Sequence, residues 1–466
     1  MIRNWNSRVK DEDTVFHLGD FSLVKSSEAP DAVKDNFSFI RNQLKGNIIF
    51  IQGNHDCFSK KTRLLTKEGY KYYNELKIGE LIPTLNLKNN KVELKPIEHI
   101  TTGIFDKKYV LKSSSFEAEI SKNHKMLLTT CTNKTKLFLE KCSKVWKRKA
   151  YIQIPTAVPS KNKDYKISNK LIKLLGWIYT DGGISPWGYI SIYQSKIKTS
   201  KEIENLLNNL SYRHYKRNRH INEILGKKLK NCLPQNEYHI HSKDSKHILT
   251  QLKIKSKYEI PSWLWECSDK QIKLLIKTMI KGDGCIANSG SKVIWGKEDF
   301  LRKIMGLCVT HNLDCNLVVA KNRGNYLCIH TDKKMRHTRQ ILATQRTIKP
   351  YNDLMWCVTV KNHTLFTELN GKPMLSGNSR NKNKSVIESM VINYGGFRIY
   401  MTHNPKFAKP DFKWNFAGHV HEKWQFQKLG ENSTIVNLSV EQWKYAPVTI
   451  GEIQAAYSRW IKSGMK

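Results

Sequence analysis

The chain has 466 residues, more than one ordinary domain needs, which predicts two to four domains. Hydrophobic residues make up 39% of it, and no apolar run approaches the roughly 18 residues that a membrane-spanning helix requires, which excludes a helical membrane protein. The net charge of +39 favours a polyanion such as DNA or RNA as a partner, with a lysine-rich composition that reflects the genome as the alternative.

The positive charge is concentrated in the middle of the chain. Residues 57–378 hold 59 Lys or Arg and 26 Asp or Glu, a net charge of +33, whereas the two flanking segments together carry +6. A genome-wide compositional bias would spread over the whole chain. The distribution therefore predicts a middle segment that binds nucleic acid.

Two strands are predicted near the N-terminus, each ending at a glycine turn with polar side chains. The first runs from Thr14 to Gly19-Asp20, and the second runs from Asn47 to Gly53-Asn54-His55-Asp56. Carboxylate, amide and imidazole groups at strand ends can converge on a metal ion.

The next segment begins at Cys57, directly after Asp56. It continues through the element Leu76-Lys-Ile-Gly-Glu to Ser121-Lys-Asn-His124, which is followed by an apolar strand. A thiol beside a strained peptide bond can attack the preceding carbonyl carbon, and a nearby imidazole can protonate the departing amide nitrogen. Taken singly, a cysteine is more often a buried small hydrophobic residue.

Two apolar helices that end in Asp-Gly are predicted 102 residues apart, at Asp181-Gly182 and Asp283-Gly284. Small residues fall four apart in each helix, a spacing that lets two helix backbones approach closely and brings the two carboxylates together. The glycine after each aspartate is expected to terminate its helix. Each helix is followed by strand-like and then helical sequence, so that an α/β unit occurs twice. Four basic residues of the first unit are candidate DNA contacts, Arg213, Lys216, Arg217 and Arg219, and the family resemblance given below adds Gln194 to them. For the four basic residues a solvated charged loop is equally consistent.

The middle segment ends with an apolar stretch around His363 and with Gly377-Asn378-Ser379. Asn378 can cyclise through its side-chain amide and cleave its own peptide bond. Beyond this junction a predicted strand ends at His403, and Gly418-His419-Val420-His421 offers two imidazoles at positions i and i+2 of an extended segment.

The strand-end motifs of the two flanks resemble, in order, the motifs of the calcineurin-like metallophosphoesterases. The resemblance implies two divalent metals (Mn²⁺, Fe²⁺ or Zn²⁺) bridged by Asp20. It implies further metal ligands at Asn54, His403, His419 and His421, and His55 near the leaving group. The family's first motif is absent, so two ligands of one metal are missing. A truncated reading frame, a strand supplied separately and an inactive enzyme all remain consistent with this absence.

The edges of the middle segment resemble the sequence blocks of inteins. The resemblance implies Cys57, His124, His363, Asn378 and Ser379 as the residues of protein splicing, which requires no cofactor. Excision of residues 57–378 would join Asp56 to Ser379 and give a ligated product of 144 residues. Most inteins have a histidine before the terminal asparagine. Here the residue is Gly377, and His363 is the best substitute.

The two helix repeats resemble the paired motifs of the LAGLIDADG homing endonucleases. The resemblance implies Asp181 and Asp283 as catalytic residues and ligands of Mg²⁺. It also implies that the strands form a saddle on double-stranded DNA, with the uninterrupted host gene as the target.

The expected fold is therefore multidomain. It combines an all-β Hint-type splicing domain, an α/β endonuclease with two repeats and a split α/β metallophosphoesterase. Its predicted segments are the N-terminal phosphoesterase part (1–56), the first splicing part (57–165), the endonuclease (166–345), the second splicing part (346–378) and the C-terminal phosphoesterase part (379–466).

The expected partners are double-stranded DNA and a phosphoester substrate of the host enzyme, with no membrane contact. The protein is expected to be a monomer in a bacterial or phage-encoded cytoplasmic setting. Two other functions remain open: a phosphoesterase that carries a DNA-binding insertion and never splices, and a DNA-binding regulator with degenerate enzymatic parts.

Overall fold

A computed structural model of the chain describes residues 2–18, 42–51, 57–130, 136–219, 223–224, 227–228, 234–287, 290–320, 324–330, 337–378, 386–387 and 389–464. Five predicted site or junction residues lie outside these ranges: Asp20, Asn54, His55, Asp56 and Ser379.

The first 165 residues are mostly short strands. The elements are α1 (Ile2–Asn6), β1 (Thr14–His17), β2 (Asn47–Ile51), β3 (Phe58–Ser59), β4 (Arg63–Thr66), β5 (Gly69–Lys71), β6 (Leu81–Asn86), β7 (Lys91–Pro96), β8 (His99–Lys112), β9 (Glu117–Ile120), β10 (Lys125–Thr129), β11 (Leu137–Lys141), α2 (Cys142–Val145) and β12 (Ile152–Pro155).

Residues 166–345 contain most of the helices. The elements are α3 (Asn169–Tyr179), β13 (Gly182–Ile184), β14 (Ile190–Gln194), α4 (Ile197–Asn209), β15 (His214–Arg219), β16 (Glu223–Ile224), β17 (Lys227–Lys228), β18 (Gln235–Ile240), α5 (Ser242–Leu252), α6 (Asp269–Asp283), β19 (Gly284–Ile286), β20 (Lys292–Trp295), α7 (Glu298–Thr310), β21 (Cys315–Val318), β22 (Tyr326–Ile329) and β23 (Thr338–Ile341).

The remainder of the chain returns to strands and ends in one helix. The elements are β24 (Arg346–Thr359), β25 (Thr364–Leu369), β26 (Lys372–Gly377), β27 (Val386–Ile387), β28 (Ser389–Tyr394), β29 (Phe397–Thr402), β30 (Trp414–Ala417), β31 (Phe426–Lys428), β32 (Thr434–Asn437) and α8 (Ile450–Lys462).

Strands from residues 57–129 pair with strands from residues 346–377, although the helical segment separates them in sequence. β24 runs antiparallel to β8 and also pairs with β3, in a closed barrel of β24, β3, β9 and β8. β25 pairs with β4, in a sheet ordered β26-β25-β4-β5. β23 pairs with β12, so the end of the predicted endonuclease segment contributes a strand to a sheet of the first splicing part.

The helical segment contains the same unit twice. The first sheet has the order β13-β14-β18-β15 and follows α3, and the second has the order β19-β20-β22-β21 and follows α6. Both helices start at a serine N-cap, since Ser168 accepts a hydrogen bond from the Leu171 amide and Ser268 forms a capping box with Gln271. The two helices pack against each other and place their C-terminal ends together.

The two flanking segments also pair with each other. β1, β2 and β27 form a parallel sheet in which Phe50 lies opposite Val386, so residues from both sides of the predicted excised segment share one sheet. The other strands of the C-terminal flank form a mixed sheet of order β28-β29-β30-β32-β31, and α8 packs on it through Ile453 and Ala456. The chain is thus a multidomain α/β protein. Every helix among the described residues is too short or too polar to cross a membrane.

Candidate functional site: three clusters of predicted residues

Close contact of α3 with α6 brings the two Asp-Gly motifs together. A Cβ atom on Gly176 would lie 2.8 Å from Cβ of Thr278, and one on Gly282 would lie 2.2 Å from Oγ1 of Thr180. Both pairs join the small residues that the sequence marked at four-residue spacing. Larger side chains at these positions would separate the helices and therefore the two carboxylates.

The two aspartates at this junction differ in their environment. Burial, followed by the nearby charge of Asp283, raises the pKa of Asp181 to about 6. Partial burial also raises the pKa of Asp283, which is the more exposed of the two. A bound divalent cation would favour the charged form of both groups, so the donor set fits such an ion.

Two lysines that the sequence analysis did not select border this carboxylate pair. Nζ of Lys196 donates to the Gly282 carbonyl at 3.2 Å, and Nζ of Lys257 donates to the Thr180 carbonyl at 2.5 Å. The positive charges of both lysines lower the pKa values of the two aspartates, and burial lowers the pKa of Lys257 itself. Lys196 is the N-cap of α4 and Lys257 lies in the loop after α5, so only the folded chain identifies them.

The glycines that follow the two aspartates lie beyond the ends of the two helices. Gly284 has an extended backbone at φ −120°, and Gly182 begins β13 without a positive φ. The prediction that the glycine ends its helix is thus confirmed at Gly284, the C-cap of α6, whereas α3 ends at Tyr179 with Thr180 as its C-cap. These positions require glycine for space, because a Cβ on Gly182 would lie 2.5 Å from the Cα of Ile178, and a Cβ on Gly284 would lie 2.6 Å from the carbonyl oxygen of Val293.

The predicted DNA contacts of the first repeat lie in two environments. Four of them are in or next to β15, an exposed edge strand rather than a loop, and three of these form ion pairs, at 3.0 Å (Arg213–Asp244), 2.9 Å (Lys216–Glu204) and 3.7 Å (Arg219–Glu237). Among the described residues, no acidic group pairs with Arg217. Gln194 is only 4% exposed, and its Oε1 accepts from the Lys196 amide at 2.9 Å.

The start of the middle segment is buried among its predicted splicing residues. Cys57 is 1% exposed, and its backbone N–H donates to Oγ of Ser121 at 3.0 Å. His124 is fully buried, with its ring edge-on to Phe58 at a centroid distance of 4.6 Å. Nε2 of His124 lies 2.5 Å from Oγ of Ser376, which the sequence analysis did not select. β10 and β26 thus bring both ends of the segment to this histidine.

The end of the segment is equally buried. The side-chain amide of Asn378 donates through Nδ2 to the Val358 carbonyl, and its Oδ1 lies 3.2 Å from Sγ of Cys357. The backbone N–H of Asn378 donates to the carbonyl of His363 at 2.8 Å, so His363 contacts Asn378 through its main chain. Cys57 and Cys357 belong to the same buried cluster, together with Phe105 and Met355.

The histidines of the C-terminal flank converge in part. Nδ1 of His403 lies 2.6 Å from the Leu18 carbonyl, which makes that nitrogen the donor and leaves Nε2 with a lone pair. This Nε2 lies 3.1 Å from Nδ1 of His419. Two imidazoles on one metal at about 2.1 Å each have nitrogens about 3 Å apart, so this pair fits a metal ion. Leu18 is the last described residue before the predicted Gly19-Asp20 motif, which lies outside the described residues.

His421 lies apart from that pair. Positive φ values at His419 and His421, +71° and +49°, break the extended segment that was expected to place both imidazoles on one face. That expectation was wrong, since β30 already ends at Ala417. Nδ1 of His421 is 2.8 Å from Oε1 of Glu441, and this contact lowers the pKa of Glu441. With Glu422 these two form a group of potential metal ligands among the described residues.

Comparison with known proteins gives one family match and several distant structural similarities. The sequence model of the calcineurin-like phosphoesterase family matches residues 2–153. An uncharacterized protein of Methanocaldococcus jannaschii, MJ1445, is 42% identical over 72 residues, which are 16% of this chain and 38% of that protein. The chain thus spans well under half the length of that relative.

The solved structures that resemble the chain include a class 3 split intein, AceL NrdHF, with a TM-score of 0.26 at 7% identity, covering 69% of this chain and 98% of the intein. The homing endonuclease I-DmoI in complex with DNA and Mn gives a TM-score of 0.27 at 13% identity, covering 36% of this chain and 92% of the endonuclease. TM-scores this low do not define the fold of this chain. The family match shows that the N-terminal part of the chain is similar to the calcineurin-like phosphoesterases.

Proposed function

We propose that residues 57–378 catalyse their own excision and join Asp56 to Ser379. The observation that carries this proposal is the meeting of the two ends of the segment in one buried site. Cys57 packs with Cys357, and Cys357 contacts the side chain of Asn378. A phosphoesterase with a DNA-binding insertion has no need for this arrangement at both junctions.

The first step of the proposed reaction uses the Cys57 thiol. Its sulfur attacks the carbonyl carbon of Asp56, the peptide bond to the Cys57 nitrogen breaks, and that nitrogen gains the thiol proton. Ser121 holds the nitrogen through its hydroxyl oxygen. His124 follows on the adjacent turn and is the group that would move the proton.

The later steps use the C-terminal junction. The hydroxyl oxygen of Ser379 attacks the Asp56 carbonyl carbon and displaces the Cys57 sulfur, so that Ser379 carries the acyl group as an ester and the hydroxyl proton restores the Cys57 thiol. Nδ2 of Asn378 then attacks the Asn378 carbonyl carbon, which releases the Ser379 nitrogen as an amine and leaves a succinimide. The free amine attacks the ester and restores a peptide bond between Asp56 and Ser379.

Expression of the intact chain beside a Cys57→Ala, Asn378→Ala double variant tests this function. Mass spectrometry under reducing conditions should find a ligated species of 144 residues and an excised species of 322 residues in the parent only. Full-length chain alone in both samples would exclude splicing and leave the non-splicing phosphoesterase.

We further propose that the α3–α6 junction cleaves double-stranded DNA. Asp181 and Asp283 would hold Mg²⁺, which would position water and stabilise the negative charge that develops on the phosphate. Lys196 and Lys257 border the carboxylates and can contact phosphate oxygens. The exposed basic strand β15 supplies a surface for the DNA backbone.

A plasmid that carries the joined coding sequence of residues 1–56 and 379–466 is the substrate for testing this activity. We expect the parent chain with Mg²⁺ to linearise it and the Asp181→Asn variant to leave it intact. Binding by the parent without cleavage would instead favour the DNA-binding regulator.

The ligated flanks are proposed to form a metal-dependent phosphoesterase. The family match and the 3.1 Å separation of the His403 and His419 nitrogens support this assignment. The spliced product should hydrolyse bis-p-nitrophenyl phosphate only with added Mn²⁺, and the His419→Ala variant should be inactive. Absence of hydrolysis with every divalent metal would indicate an inactive host.

A further inference from the structure

Gly377 occupies a position that has no room for a side chain. A Cβ atom there would lie 2.4 Å from the Lys125 carbonyl oxygen and 2.3 Å from Cδ2 of Leu139. The backbone of β10 is one of the two obstacles and cannot move aside as a flexible side chain could. An imidazole before Asn378 is therefore incompatible with this packing, so assistance to the asparagine must come from elsewhere.

The side-chain amide of Asn378 has a defined orientation. The carbonyl of Val358 only accepts hydrogen bonds, so the atom that faces it is Nδ2. Oδ1 consequently points to Sγ of Cys357 at 3.2 Å, and the thiol is the donor of this contact. The thiol also lies 3.5 Å from the Val358 carbonyl, as a second and longer contact. Asn378 is 2% exposed and Cys357 is 6% exposed, so water competes little for these bonds.

We propose that Cys357 is a positioning residue for the cyclisation of Asn378, a role that rests on the splicing function proposed above. Electron density moves from Nδ2 toward Oδ1 in an amide, which makes Nδ2 a poor nucleophile. The Val358 carbonyl accepts a hydrogen bond from one hydrogen of Nδ2, which increases the electron density on that nitrogen. The thiol of Cys357 fixes the amide plane through Oδ1 and stabilises the negative charge that Oδ1 carries as the hydrogen leaves.

The step balances without a further reactant. Nδ2 of Asn378 forms a bond with the Asn378 carbonyl carbon, and the bond from that carbon to the Ser379 nitrogen breaks. One hydrogen of Nδ2 passes to the departing nitrogen, so that the products are a C-terminal succinimide and a free amine. Cys357 forms no covalent bond in this step.

The test separates the two junctions in the full chain. Hydroxylamine cleavage at Asp56 measures the thioester at Cys57. Mass spectrometry measures the fragment that ends in succinimide, which is lighter by one water than the product of hydrolysis. We compare the parent, Cys357→Ala and Cys357→Ser, because a serine hydroxyl keeps a donor at the same position.

We expect Cys357→Ala to form the thioester at the parent's level while its succinimide release falls about tenfold, the effect of losing one hydrogen bond to a developing charge. Cys357→Ser should restore release to within about threefold. Release from Cys357→Ala at the parent's rate, or a parallel loss of thioester and succinimide, would overturn the proposal. Absence of both products in the parent would instead reject the splicing function itself.

Discussion

At the scale of single residues, Asp181 shows how the candidate nuclease site affects stability. Its carboxyl group is largely buried, and the charge of Asp283 adds to the effect of burial, so its pKa is about 6. The native state therefore binds this proton more tightly than the unfolded chain does. The resulting contribution to stability is fully present below pH 3.8 and is lost as the pH rises through about 6.

The Asp181→Asn variant should therefore be more stable than the parent at pH 7.5 in EDTA, by about 1–3 kcal/mol. The gain should disappear as the pH falls to about 4, where the parent carboxyl is also neutral. Urea unfolding at the two pH values measures both quantities, with Glu266→Gln at an exposed carboxyl as the matched control. A variant less stable than the parent at pH 7.5 would show that ionised Asp181 is well compensated without metal.

At this scale the sequence predicted contacts that follow from residue type and spacing. It did not predict contacts that depend on how the backbone folds. The small residues of α3 and α6 were predicted to face each other, and they do. The close contacts of the glycines after Asp181 and Asp283 were not predicted, because their neighbours in space come from the preceding turn and from β20. Lys196 and Lys257 belong to no motif, and Ser376 was not selected as a site residue, so their places near the sites follow only from the fold.

At the scale of elements, the pairing of α3 with α6 depends on contacts that leave no free space. A methyl group on Gly282 would lie 2.2 Å from Oγ1 of Thr180 and 2.4 Å from Oδ2 of Asp181. Because Asp181 is one of these neighbours, any adjustment would displace the carboxylate as well as the helix.

Gly282→Ala should therefore lower the free energy of unfolding by about 1–3 kcal/mol, the usual cost of overpacking. It should also reduce DNA cleavage more than its loss of folded protein explains. The control is Gly183→Ala in the neighbouring strand, where the new methyl group would meet only a ring carbon of Tyr193 at 3.8 Å. Equal stability of the two variants would mean that the helices separate without cost.

Helices and strands with a strong hydrophobic periodicity were predictable from the sequence, whereas pairings between strands far apart in the sequence were not. The helices that became α3, α4, α6 and α7 were placed from sequence, as were the strands β14 and β20. The pairing of β23 with β12 joins residues on either side of the helical segment, and no local pattern indicates it. No local pattern indicates the positive φ values of His419 and His421 either, which lie where an extended segment was expected.

At the scale of the whole molecule, the helical segment and the strands around it share buried contacts. One hydrophobic cluster includes Leu65 and Phe366 of the strand segments together with residues of α3, α6 and α7. Nε1 of Trp265 donates to the carbonyl of Lys67 at 3.1 Å. Arg302 of α7 is buried and pairs with Glu368 of β25, which also accepts from Arg63 at 3.2 Å.

Removal of Glu368 should thus affect both proposed activities. The Glu368→Ala variant removes one of the two carboxylates that pair with the buried Arg302 guanidinium and leaves Glu298 at its other nitrogen, and we expect a loss of about 1–3 kcal/mol. Splicing yield and DNA cleavage should fall together when both are measured on one preparation across a temperature series. Asp244→Asn, which breaks the exposed pair with Arg213, should cost under about 1 kcal/mol and serves as the control. Loss of one activity alone would show that the two parts unfold independently.

The parallel pairing of β2 with β27 has a consequence for how the proposed ligation proceeds. β2 ends at Ile51 and β27 begins at Val386, so the two host pieces are already hydrogen-bonded a few residues outside each junction. In the proposed reaction this pairing would keep the two host pieces at a high effective concentration before any bond is broken. A severed acyl intermediate would remain tethered through this small sheet, which disfavours escape of the N-terminal piece by hydrolysis. The paired host strands would thus hold the two pieces together until the new peptide bond forms.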